Sequence, residues 1–236
     1  MHGSTETPRL SGESHRGTWR TWVVRATWVG LLLALALSVQ GTWAQRPAPD
    51  GPLDRARSAR QRGQYAEAEA LLTPLADRTR PNDAALELGL LFQMLGRTAE
   101  ADGWLDAVVR STRGRSVADL VRVGRAAHAL GEFRVANEAF QDAADQAPND
   151  AALNLAWGRL FLHAHNRAEA AKSFQIVIDA DGTSAEARLG LAEALAEESP
   201  PAALKAAEIA LDLDPSLVPA HLLVADLMLD REERGE

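Results

Sequence analysis

The chain has 236 residues, of which 46% are apolar and only 5% aromatic, with no cysteine and a formal charge of −8. Without cysteine there can be no disulfide, thiolate catalysis, iron–sulfur cluster or lipidated Cys anchor. A core short of aromatics must be built from Ala and Leu, which suits close helix packing and argues against a β-sandwich or barrel. The first 44 residues hold four Arg and two Glu, so the remainder carries 21 basic against 31 acidic side chains. That balance disfavours nonspecific nucleic-acid binding and favours neutral or basic partners, and it also keeps an ordinary soluble protein in solution.

Arg20 and Arg25 precede a 12-residue apolar run over 28–39, and Thr42-Trp43-Ala44 places small residues before a possible cut after Ala44. This is the pattern of a secretory signal peptide over 1–44. The run is shorter than the roughly 20 residues a membrane-crossing helix needs, so a retained N-terminal anchor is the lesser alternative. The expected location is periplasmic or secreted. Residues 45–52 form a Pro-rich linker, extended rather than helical.

A helix is predicted over 53–62 and a second over 65–78, where Pro74 should kink it or end it early. Asn82 caps the next helix, which runs to Leu95, and another follows over 99–109. The basic turn 110–116, with Arg110, Arg113 and Arg115, reads as a solvated loop, or alternatively as a contact for an acidic ligand. Helices over 117–130 and 132–147 come next. Over 151–163, Leu153, Ala156, Trp157, Leu160 and Phe161 recur at three- and four-residue steps, and Ala170, Ala171, Phe174, Val177 and Ile178 do so over 168–180. Ser184 caps a helix ending near Glu198. Pro200 and Pro201 fit the first turn of the next, which closes at Asp214-Pro215. Residues 216–230 read as one more first helix, apolar over a wide arc (Leu222, Leu223, Val224, Leu227, Met228, Leu229), before a charged tail over 231–236. Gly235-Glu236 matches the turn at Gly131-Glu132. The last helix is therefore either a lid on the fifth unit or the opening of a longer exported protein whose activity lies further on.

These segments repeat. Gly63, Gly96, Gly131 and the Asn166 region mark turns spaced by 33, 35 and 35 residues. A small residue follows each: Ala68, Ala101, Ala136, Ala170, then Ala203. Leu72, Leu105, Phe140 and Phe174 come four later. Pro81, Pro148 and Pro215 lie 67 residues apart, twice a period of about 34, and a fixed period of this size means a solenoid. The pattern resembles the tetratricopeptide repeat. The third unit carries Val123-Gly124, Gly131, Phe133, Ala136, Phe140, Ala143 and Pro148. The second carries Leu88-Gly89, Gly96, Ala101 and Leu105, and the fourth Trp157-Gly158, Ala170 and Phe174, with His165-Asn166 where the turn glycine is usual. The first (Gly63, Tyr65, Ala68, Leu72) and fifth (Leu189, Ala203, Ala210, Pro215) are plainer. The resemblance implies an all-α, right-handed superhelical solenoid of antiparallel hairpins over 53–230. It would hold five full units, at 53–81, 82–115, 116–148, 149–183 and 184–215, plus a partial one at 216–230.

The resemblance also implies that first helices line a concave groove, with their second and fifth positions facing it. The candidates are Asp83 and Leu86, Ala118 and Val121, Ala152 and Leu155, and Glu186, with Asn154 beside them; Leu86, Val121, Asn154, Leu155 and Glu186 are the selected groove residues. The Asn and Lys/Arg cluster with which some relatives clamp acidic peptides is absent. Arg122, Arg125 and Arg159 could add positive spots but read as solvated. No catalytic, metal or cofactor constellation stands out. His163 and His165 are two apart and diverge on a helix, and Asp179 to Gly182 lacks the later ligands of a calcium loop. No Gly-x-Ser-x-Gly elbow occurs. The expected function is a non-catalytic, exported scaffold, free of cofactors, that binds a protein or peptide, with self-association through the last helix as a further possibility.

Overall fold

The computed structural model describes residues 51–111 and 116–234, with side chains as far as Arg231. The leader segment, most of the linker, Arg113, Arg115 and Gly235-Glu236 lie outside the described residues. Among those described, five hairpins follow one another: α1 (Pro52–Gln61) with α2 (Tyr65–Leu72), α3 (Asp83–Met94) with α4 (Thr98–Val109), and α5 (Val117–Ala129) with α6 (Phe133–Ala144). Then come α7 (Ala151–His163) with α8 (Arg167–Ala180), α9 (Ala185–Leu195) with α10 (Pro200–Leu213), and a final helix, α11 (Val218–Arg234). The chain is an all-α solenoid of paired antiparallel helices, with about five repeats and one extra helix.

The turns inside the hairpins are near copies. Gly63, Gly96 and Gly131 take φ of 74°, 71° and 78°. The next residue sits near φ −83° and ψ 61° in each case. Its N–H reaches back to the carbonyl five residues earlier: Gln64 to Ala59 at 2.9 Å, Arg97 to Phe92 at 2.9 Å, Glu132 to Ala127 at 2.8 Å. This is a Schellman ending, whose left-handed residue is normally glycine. In the fourth hairpin that residue is His165, at φ 58°, and Asn166 makes the equivalent 2.8 Å bond to Phe161. The turn spacings are therefore 33, 35 and 34, more even than the sequence suggested. First helices are opened instead by side chains, with Asn82, Ser116, Asp150 and Ser184 each accepting from the N–H three residues on.

Hairpins close through small-to-large contacts. Ala68, Ala101, Ala136, Ala170 and Ala203 are all fully buried, as are Leu105, Phe140 and Phe174. An added Cβ on Gly124 would stand 2.3 Å from the Phe140 ring, so only glycine lets that ring lie across α5. The second helix of the first unit ends at Leu72, shorter than predicted, because Pro74 removes a donor two residues later. The Asp77 carboxylate then takes three bonds, from the backbone and hydroxyl of Thr79 and from the Arg80 N–H, to fold the connection.

Candidate functional site: the inner row of helices

Successive first helices touch one another: α1 with α3, α3 with α5, α5 with α7, α7 with α9. Successive second helices do not, so the first helices form the tighter, inner row. The site is built on this face.

Its firmest point is Glu87, a carboxylate in the apolar run of α3 with only 2% of its surface exposed. Three guanidiniums from both neighbouring helices hold it. Arg57 Nε and Arg125 Nη2 each donate to Oε1 at 3.1 Å, and Arg60 Nη2 donates to Oε2 at 3.1 Å. Burial pushes the Glu87 carboxyl up, but Arg125, Arg60 and Arg57 together outweigh it and hold it below the usual carboxylate range. Close by, Arg122 spans Asp83 at 2.7 Å and Asp119 at 2.8 Å.

Further along the same face, the C-terminal halves of α3, α5 and α7 enclose a cleft of about 370 Å³. Leu90 and Gln93 come from α3, Arg125 and His128 from α5, Arg159 and His163 from α7. The imidazoles of His128 and His163 meet edge to face at 5.4 Å, and both rest on the Phe133 ring, at 5.9 Å and 4.7 Å. Burial, then the proximity of His163 and Arg159, pushes the His128 imidazole below its ordinary range. Arg159 is held only loosely, by Glu186 at 3.5 Å. On α9, burial pushes the Glu193 carboxyl up against the opposing pull of Arg159. Glu186 also accepts from Gln61 Nε2 at 3.3 Å, so side chains of the first and fifth hairpins meet across this face.

The groove residues expected from sequence fall mostly elsewhere. Leu86 and Val121 are buried in helix packing. Asn154 is buried too, and its amide donates to the carbonyls of Pro148 at 2.8 Å and Asp150 at 2.9 Å, tying the turn to the helix it opens. Leu155 packs half-buried against α8. Glu186 alone of the five reaches the open face. The cleft lies one to two turns further along each first helix, four and seven residues after Leu86 and Val121 and four and eight after Leu155. Of the arginines expected to be solvated, Arg122 and Arg125 are instead engaged in ion pairs, with 16% and 29% side-chain exposure, while Arg159 keeps 54%. Glu87 was missed, although a carboxylate in the middle of the apolar run AALELGLLF was a visible signal. Among the described residues no group of three or more His, Asp and Glu could hold a metal ion, and no helix is long and apolar enough to cross a membrane.

The tetratricopeptide repeat model matches residues 53–116 and 155–218, more than half of the chain, and the chain belongs to that family. No curated protein matches it in sequence. Among solved structures, it is similar to a thermophilic TPR protein of Thermus thermophilus, at 22% identity over 77% of this chain and 100% of that one, with a TM-score of 0.58. It is also similar to the Cut9-Hcn1 hetero-tetramer of APC/C, at 18% identity over 75% of this chain and 35% of that one, TM-score 0.52. A third is a tetratricopeptide repeat protein from Parabacteroides merdae, at 18% identity over 78% and 74%, TM-score 0.48. At these identities the likeness is one of fold.

Proposed function

We propose that the protein is a non-catalytic, exported bacterial scaffold that holds a peptide or protein segment against the inner row of first helices. The observation that carries this reading is the open cleft lined by Gln93, Arg125, His128, Arg159 and His163, set among the ion pairs of that face. A rigid scaffold with an open polar cleft and no catalytic constellation suits binding better than chemistry. Export rests on the basic flank, apolar run and small residues before Gln45. The test is a photo-crosslinker placed at Gln93, with Glu138 on α6 as the outer-face control, in cells fractionated into envelope and cytoplasm. A discrete adduct from Gln93 alone, in the envelope fraction, is expected. Equal labelling from both positions, or a protein retained in the cytoplasm, counts against it.

A second reading, pairing of α11 with its copy in another chain, is favoured by one feature. Val218, Leu222, Ala225 and Leu229 recur at steps of four, three and four residues and are all exposed, the spacing of a helix-pairing stripe. Sedimentation that stays monomeric up to high concentration removes it.

A further inference from the structure

We propose that the cleft between the α2–α3 connection and the end of α4 binds a phosphate monoester through the guanidiniums of Arg78, Arg80 and Arg110.

No first helix lines this cleft, so it is separate from the inner row and independent of what that row holds. Its volume is about 620 Å³, the size of a small-molecule site rather than of a single ion. Arg78 and Arg80 come from the connection over 73–82, and Arg110 from the C-cap of α4, where the basic turn 110–116 begins. None of the lining residues is acidic. The Asp77 carboxylate holds Arg78 and Arg80 in one tight turn, accepting from the Thr79 N–H at 2.7 Å and the Arg80 N–H at 3.1 Å. The nearby hydroxyls are already spent, Thr79 on Asp77 and Ser111 on the Val108 carbonyl. The donors left to the cleft are the guanidiniums.

Among the described residues, no hydrogen bond or ion pair engages the guanidinium of Arg78 or of Arg80. Arg78 lies instead over the Trp104 ring, 4.3 Å from its centroid. Stacking takes the face of a guanidinium and leaves its N–H edge open to an acceptor. It also fixes the group before a ligand arrives, which lowers the cost of ordering it. Glu100, whose field reaches Arg78, is itself held by Arg97 through both oxygens at 2.7 Å. Arg110 is paired with Asp106 at 3.1 Å, four residues apart on one helix, and stays 71% exposed. Such a pair exchanges readily for a stronger anion. A monoester phosphate carries nearly two negative charges near pH 7 and three acceptor oxygens, enough to meet three guanidiniums at once. A carboxylate offers one fork and meets one of them. Nucleic acid is the poorer fit, because beyond the first 44 residues 31 acidic side chains stand against 21 basic ones and repel its backbone at long range.

The test is isothermal titration calorimetry of the full chain with glycerol 3-phosphate at low salt. Saturable binding is expected, with a Kd that rises up to about fourfold from pH 7.5 to 5.5 as the ester loses its second charge. Glycerophosphocholine, a diester, should bind about tenfold more weakly and without that pH dependence. Arg78→Gln and Arg80→Gln should each raise the Kd about tenfold. Asp106→Asn, which frees Arg110, should lower it, and Arg134→Gln on α6 should leave it unchanged. Thermal melts verify that each variant is folded. No saturable heat up to about 10 mM ester, equal heat from glycerol, or a Kd unmoved by Arg78→Gln and Arg80→Gln overturns the proposal. Vesicles of phosphatidylcholine with and without phosphatidic acid separate the two sources of a monoester. Cosedimentation that needs phosphatidic acid and is lost in the double variant Arg78→Gln, Arg80→Gln assigns a lipid headgroup. The double variant is the reference because the apolar run over 28–39 can bind a membrane by itself. Soluble ester bound with no such difference on vesicles assigns a free ester.

Discussion

The two halves of the solenoid are fastened by different chemistry. From α1 to α5 the inner helices are stitched by charge, with Glu87 joining Arg57, Arg60 and Arg125 across three hairpins. From α7 to α10 the stitch is one aromatic ring. An added Cβ on Gly158 would stand 2.8 Å from Phe174, and one on Gly190 would stand 2.4 Å from it, so the ring fills its own hairpin and the next. The fifth hairpin needs this, because the position held by Leu72, Leu105, Phe140 and Phe174 in the others is Ala207. In repeat proteins, stability is roughly a sum of unit and interface contributions. One half therefore depends on an interaction that protons can cancel, and the other on one they cannot.

The largest expected effect breaks the aromatic half. Phe174→Ala should cost about 3–5 kcal/mol in urea denaturation, and hydrogen exchange should show α7–α10 opening together while α1–α4 stay protected. Glu87→Ala comes next, at about 2–3 kcal/mol, less than a fully buried pair because the three arginines can turn to water. Here pH sharpens the contrast. The Glu87 carboxyl is depressed in the folded chain, so its contribution is present above the ordinary glutamate value and is lost as pH falls through the lower, folded one. Acid titration followed by hydrogen exchange should loosen α1–α5 first in the parent chain, and Glu87→Ala should remove most of that difference.

Gly124→Ala probes the border between the halves. The gain in helix propensity, about 1 kcal/mol, is outweighed by driving a methyl against the buried Phe140 ring. The net loss should be about 1–2 kcal/mol by thermal or urea unfolding. His165→Gly should act oppositely, raising stability by about 1 kcal/mol, since it relieves a left-handed conformation that the other three turns give to glycine. The smallest effect belongs to α11. Leu222 on α11 is 62% exposed, so Leu222→Lys should change the unfolding free energy by less than about 0.5 kcal/mol.

The sequence made the fold legible because packing repeats. Ala68, Ala101, Ala136, Ala170 and Ala203 had to be buried wherever two helices came close, and each is. The cleft was less legible because it lies on the same stripe of each first helix but further along the axis. Moving from Leu86 to Leu90 and Gln93, or from Val121 to Arg125 and His128, is one or two helical turns, and periodicity alone does not say where neighbouring helices diverge enough to leave space. Glu87 hid for another reason. Its partners lie 27 to 38 residues away, and only the stacking of hairpins brings them to one height. The fourth turn was placed at His165-Asn166 without choosing between them, because a turn without glycine does not announce which residue adopts the left-handed conformation.

The contact between Gln61 and Glu186 joins residues 125 positions apart in a molecule whose helices otherwise meet close neighbours. Glu186 also holds Arg159 at 3.5 Å, beside the cleft. One carboxylate thereby links the first, fourth and fifth hairpins, and Glu186→Ala should release both contacts at once, which a pair of dyes on α1 and α9 would register as a longer or broader separation.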